Sequence, residues 1–107
     1  MKRIGQLIGL RPDRYADYVL AHAAVWPGVL ARIRASNIRN YSIYCFGDQL
    51  FAYFEYVGED YAGDMQRIAD DPDTRRWWEL TGPMQRPVEG RAPGEWWATM
   101  EEVFHTD

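Results

Sequence analysis

The chain is poor in the groups on which much enzyme chemistry depends. Cys45 is its only cysteine, so no internal disulfide can form and the sequence fits a reducing compartment. Two histidines, His22 and His105, cannot make a zinc site with one cysteine unless several carboxylates join them, and no metal-ligand spacing occurs. The G-x-S-x-G elbow, the P-loop, the G-x-G-x-x-G fingerprint and H-E-x-x-H are all missing. Phosphate, dinucleotide and metal chemistry lose ground together, and the expectation is a site with no cofactor and no metal. Lys2 is the only lysine, and the net charge of −4 argues against a nucleic-acid partner, whose phosphates demand a basic surface. No apolar run approaches the ~20 residues of a membrane span. The start, Met1-Lys2-Arg3 then Ile4 to Leu10, is broken by Gln6 and ends in Arg11-Pro12-Asp13-Arg14 without a small-residue cleavage site. A cytoplasmic protein that avoids membranes is the expectation.

What the chain does have is apolar and aromatic. Hydrophobic residues make up 47% and aromatics 15% of 107 residues, enough for a single folded domain over residues 1–107. Ile4 to Leu10 reads as a strand. From Pro12, Tyr15, Tyr18, Val19, His22 and Trp26 share one helical face, and Pro27 kinks or restarts a helix that runs to about Ser36. Asn40 to Phe46 and Gln49 to Val57 are aromatic and β-branched runs joined by Gly47-Asp48, a strong hairpin signal. A helix is predicted over Glu59 to Ala69, and Asp71-Pro72 supplies an N-cap and an N1 proline for another through Leu80. Gly82 to Gly94 reads as a loop and Trp96 to His105 as a last strand.

The order β-α-β-β-α-β is that of an α+β, ferredoxin-like domain with an antiparallel sheet. Helices on one side should leave the other sheet face polar. Yet Leu50, Ala52, Phe54 and Tyr56 lie on one side of the third strand and Phe51 and Tyr53 on the opposite side. A second copy packing sheet to sheet would cover that face, so a homodimer is predicted.

Among polar residues, His22 stands on an aromatic stripe, one helical turn from Tyr18. Taken alone, such a histidine is more often a core residue donating to a backbone carbonyl. His105, near the chain end, suits a solvated or strand-capping place. Trp77 and Trp78 point about a hundred degrees apart on a helix, so one is expected to pack and the other to offer a flat face, with little prospect of serving one core site. Aromatic faces suit the C–H side of a sugar ring, and Tyr hydroxyls or indole N–H groups bond its hydroxyls.

Five segments, Tyr18…His22-Ala23-Ala24-Val25-Trp26-Pro27, Asn40-Tyr41-Ser42-Ile43-Tyr44, Leu50-Phe51-Ala52, Trp77-Trp78 and Glu102-Val103-Phe104-His105, resemble the successive motifs of the L-rhamnose mutarotase family. The resemblance runs in order over nearly the whole chain. It implies a dimeric α+β barrel of ferredoxin-like subunits that interconverts the α and β anomers of a 6-deoxy hexose without cofactor. It implies His22 as proton donor, with Tyr18, Tyr41, Trp77 and Trp78 binding the monosaccharide. Gly28 departs from the pattern, where a Glu usually follows Trp-Pro, and Gly82 to Val88 differs as well; both bear on sugar preference, L-rhamnose or L-fucose. The rival readings are a cofactor-independent monooxygenase or muconolactone-isomerase-like enzyme on the same barrel, and a sugar-binding module without catalysis.

Overall fold

A computed structural model describes residues 1–107. The first strand, β1 (Lys2–Leu10), runs through the middle of an antiparallel sheet. Along one edge it pairs with β3 (Gln49–Tyr56), from Lys2 opposite Tyr56 to Gly9 opposite Gln49. β3 in turn pairs with β2 (Ile38–Phe46) through the predicted hairpin, whose turn residue Gly47 takes φ +62°, a conformation that favours glycine. The other edge of β1 carries two short strands. β4 (Gln85–Arg86) meets Gly9 and Leu10, and β5 (Ala98–Met100) meets Gly5 to Leu7. The spatial order β2-β3-β1, with β4 and β5 beyond β1, is the ferredoxin-like order expected from the sequence.

Strand alternation decides the core. Ile4 and Ile8 of β1 and Leu50, Ala52, Phe54 and Tyr56 of β3 turn to the helical side and are buried. The helices there are α1 (Tyr15–His22), α2 (Pro27–Ala35), α3 (Tyr61–Asp70) and α4 (Pro72–Thr81). Asp60 caps α3 by accepting from Gly63 N–H at 3.1 Å. Asp71 caps α4 through the N–H and hydroxyl of Thr74, both at 2.9 Å, with Pro72 at the first helical position as its sequence predicts. No helix is long and apolar enough to cross a membrane.

The structure departs from the sequence reading in five places. Pro12–Arg14 is a 3-10 turn rather than the start of one long helix, and α1 ends at His22. Pro27 holds Trp26 in an extended conformation, φ −61° and ψ 137°, so Trp26 precedes α2 instead of prolonging α1. The third helix begins at Tyr61, not Glu59, because Asp60 is its cap. The Gly82–Gly94 stretch is not all loop: a 3-10 turn, Gly82–Met84, leads into β4. The last strand shrinks from Trp96–His105 to Ala98–Met100, and Glu101–Asp107 has no regular structure. There Glu102 is instead tied through its side chain to Arg3 at 3.0 Å.

The opposite sheet face is apolar in part, as its alternation predicts, with a charged row of Arg3, Glu55 and Arg39 at one end. Leu7, Phe51 and Tyr44 form a row across β1, β3 and β2. Tyr44 is 67% and Phe46 80% exposed.

Candidate active site

Between the helices and the sheet lies a cavity of about 960 Å³, and Tyr18, His22, Tyr41, Trp77 and Trp78 all border it. α1 presents Tyr18 and His22 from successive turns. Their rings stack with centroids 4.1 Å apart and planes 26° from parallel. Trp77 of α4 meets His22 edge-on at 5.2 Å, and Trp26 meets Trp77 in the same way at 5.2 Å.

Tyr41 reaches the cavity because β2 is bulged. Arg39 pairs with Glu55 and Ser42 with Tyr53, so Asn40 and Tyr41 together face one residue of β3. Asn40 takes φ +52° there, a left-handed conformation that asparagine tolerates better than most residues. The extra residue turns Tyr41 toward the helical side, where its ring lies 5.3 Å from that of Phe54. Burial around the Tyr41 hydroxyl pushes its pKa up to about 12, although the residue as a whole is 39% exposed.

The two nitrogens of His22 have different fates. Nδ1 lies 2.8 Å from the carbonyl oxygen of Tyr18, and since a carbonyl only accepts, Nδ1 carries the hydrogen. The neutral ring then has its lone pair on Nε2, to which no protein group bonds. No buried side-chain nitrogen or oxygen in the chain lacks a partner, so Nε2 is accessible, on a ring that borders the cavity. Burial lowers the pKa of His22, and the bond to the Tyr18 carbonyl raises it by less. The ring is thus neutral at pH 7 with a free acceptor nitrogen. The core-histidine bond and the ligand-facing place belong to one side chain.

The tryptophan pair divides as the helix geometry predicts, with one difference. Trp77 is 6% exposed and packs; Trp78 is 48% exposed and offers its face. Both nonetheless border the same cavity, because it is wide enough to extend from the packed helix interface to the rim. The indole N–H of buried Trp77 has no protein partner and is accessible, on a side chain that borders the cavity. His105 lies outside the cavity and pairs with Asp107 at 3.0 Å.

Among the other residues that border the cavity, Gln85, Glu95 and Trp96 carry polar groups that sequence reasoning did not single out. Gln85 of β4 is 6% exposed; its amide oxygen accepts from Trp96 Nε1–H at 2.8 Å, and its amide nitrogen lies 3.4 Å from the Tyr18 hydroxyl. Glu95 is the only carboxylate on the cavity wall. Its two oxygens accept from the N–H groups of Ala92 at 2.9 Å and Thr99 at 3.3 Å, bonds that hold its pKa below the usual carboxylate value. These residues fall in the proline- and glycine-rich stretch and just after it, where no periodicity marks a side chain as inward.

At Gly28, on the first turn of α2, the space of a side chain is already taken. A Cβ there would lie 2.8 Å from Cγ and 3.2 Å from Cβ of Asp73 on α4. The carboxylate at this helix junction thus comes from α4.

Comparisons with known proteins identify a family. A family model described as L-rhamnose mutarotase matches residues 3–106. An L-rhamnose mutarotase of Lactiplantibacillus plantarum is 31% identical over the full length of both chains. An L-fucose mutarotase of Xanthomonas campestris is 34% identical, with 97% of this chain and 87% of the relative covered. A crystal structure of an L-rhamnose mutarotase from Formosa agariphila superposes with a TM-score of 0.78 over all of both chains at 19% identity, which speaks for the fold. On these matches the chain belongs to the L-rhamnose mutarotase family.

Proposed function

We propose that this aldose mutarotase interconverts the α and β anomers of a 6-deoxy hexose, L-rhamnose or L-fucose, with His22 moving the proton and Tyr18, Tyr41, Trp77 and Trp78 holding the sugar. The observation that carries the assignment of roles is His22 itself, with Nδ1 tied to the Tyr18 carbonyl and Nε2 accessible on a ring that borders an aromatic cavity. Relatives named for both sugars support the substrate class. The family match counts against the monooxygenase and muconolactone-isomerase alternatives.

In this mechanism neutral His22 acts first as a base. Nε2 takes the proton of the anomeric hydroxyl, the C1–O1 bond becomes a carbonyl, and the C1–O5 bond breaks. The imidazolium so formed gives that proton to O5, which was bonded to the same carbon and is within reach of one ring. Rotation about C1–C2 and reversal of these steps on the other face of the aldehyde yields the second anomer. The expectation of His22 as a donor therefore describes the second half of a shuttle.

We further propose that the protein works in the cytoplasm as a homodimer, without nucleic-acid or membrane partners and without metal or cofactor. Exposed Tyr44 and Phe46 on the outer sheet face support a second copy there, the free thiol of Cys45 a reducing compartment, and the net charge of −4 the absence of nucleic acid.

Saturation-transfer NMR on L-rhamnose and L-fucose tests the reading. The wild type should accelerate anomer exchange, and His22→Ala should lose ~10²–10⁴-fold of that acceleration while still binding sugar. Exchange at wild-type speed in His22→Ala removes the assignment. Sugar binding by the wild type without faster exchange makes the protein a binding module instead.

A further inference from the structure

We propose that Gln85 is a positioning residue that holds the Tyr18 hydroxyl as a hydrogen-bond donor toward the sugar. The proposal rests on the mutarotase reading and adds to it a second polar direction in the site.

The chemistry of one side chain, the Trp96 indole, permits a single role. An indole N–H only donates, so Trp96 fixes the Gln85 amide with its oxygen outward to the indole, 2.8 Å away. The amide NH₂ then has to face Tyr18, whose oxygen lies 3.4 Å off. A phenol has one hydrogen, and with an N–H already directed at its oxygen that hydrogen turns away from Gln85. No other protein acceptor bonds it, and Tyr18 borders the cavity. Gln85 and Tyr18 are 6% and 5% exposed, so water competes little for the bond between them, while the anchoring Trp96 is 49% exposed.

The result complements His22. The stacked rings of Tyr18 and His22 offer the substrate an O–H donor and an Nε2 acceptor from adjacent turns of one helix. Mutarotation needs both at once: an acceptor for the anomeric proton and a donor toward the ring oxygen as C1–O5 breaks and negative charge gathers there. Burial raises the Tyr18 pKa well above its ordinary value, which keeps the phenol protonated as a hydrogen-bond donor. Proton transfer itself stays with His22.

Gln85→Glu is the decisive variant, since it keeps the shape and reverses the polarity. One carboxylate oxygen still accepts from Trp96, while the other takes the Tyr18 hydrogen away from the sugar. kcat for anomer exchange should fall about tenfold or more with KM changed far less. On a Tyr18→Phe background the same substitution should change kcat less than about twofold, because the hydroxyl it acts through is gone. Wild-type kcat in Gln85→Glu, or an equal loss with and without the Tyr18 hydroxyl, overturns the proposal. Trp96→Phe, which frees the amide to flip, gives a second reading should Gln85→Glu fold poorly. It should lower kcat roughly threefold, less than reversal of the amide does, and an unchanged kcat overturns the relay. A readout without turnover separates this proposal from the mutarotase reading. In ¹H–¹⁵N spectra the Trp96 indole N–H should shift and exchange faster with water in Gln85→Leu, and an unmoved signal removes the relay. A wild type that exchanges no tested aldose counts against the mutarotase reading alone.

Discussion

Tyr18 and His22 are joined twice, by ring stacking at 4.1 Å and by the bond from His22 Nδ1–H to the backbone oxygen of Tyr18 at 2.8 Å. Four-residue spacing on a helix permits both contacts, and the second settles the tautomer of the ring. A histidine used as a base through Nε2 has to be neutral, and this geometry connects that requirement to pH.

Burial lowers the His22 pKa below 6.5, so the neutral base predominates at pH 7 and above and is lost as pH falls through that lowered value. After subtraction of the uncatalysed rate, the catalysed rate should be flat near neutrality. Its acid limb should have a midpoint below 6.5. A pH–rate profile with a midpoint at or above 6.5 contradicts the neutral-base role.

The two tryptophans should separate stability from binding. Trp77 is buried against His22 and Trp26, so Trp77→Ala should cost about 3–5 kcal/mol of folding stability, measured by urea unfolding. Trp78 is half exposed, so Trp78→Ala should leave the urea midpoint nearly unchanged while weakening sugar binding roughly three- to tenfold. Equal loss of stability in both variants contradicts this division.

At Gly28 a side chain competes with Asp73 for space. Gly28→Ala swings the half-exposed Asp73 carboxylate aside and presses on its Cβ, and should cost about 1 kcal/mol. Asp73 otherwise pairs only with Arg76 at the surface, so its removal costs little by itself. Gly28→Ala with Asp73→Ala should therefore be more stable than Gly28→Ala alone, a coupling that a double-mutant cycle of unfolding energies reads directly. Additive losses mean the two helices do not meet there.

The outer sheet face should govern assembly. A charge in place of Phe46 or Tyr44 puts a desolvation cost into the proposed sheet-to-sheet contact. Sedimentation of Phe46→Glu and Tyr44→Glu should show monomers where the wild type shows dimers. A dimer undisturbed by both changes places the interface elsewhere.

Much of this fold is legible in the chain because its signals are local. The Gly47-Asp48 turn between aromatic runs, Asp71-Pro72 ahead of α4 and the alternation of Leu50, Ala52, Phe54 and Tyr56 each act over a few residues, and each appears where the sequence puts it. Some misses are local, such as Pro27 holding Trp26 extended and Asp60 capping α3, and two are cases where a distant partner wins. The final strand stops at Met100, and the predicted loop holds β4 because Gly9 and Leu10 supply an edge for Gln85 and Arg86 to join. Neither outcome is encoded in the periodicity of the segments themselves.

The site follows the same division. Spacing alone brings His22 within a turn of Tyr18 and sets Trp77 and Trp78 on different sides of α4, because helix geometry is fixed by the backbone. Tertiary structure alone decides that a bulge turns Tyr41 into the cavity, that Gln85 lies beside the Tyr18 hydroxyl from 67 residues away, and that Asp73 fills the space at Gly28. Those relations depend on which segments the sheet and helices press together. A sequence states the side chains, but the direction of each hydrogen bond in the cavity is set only when its partner arrives from elsewhere in the chain.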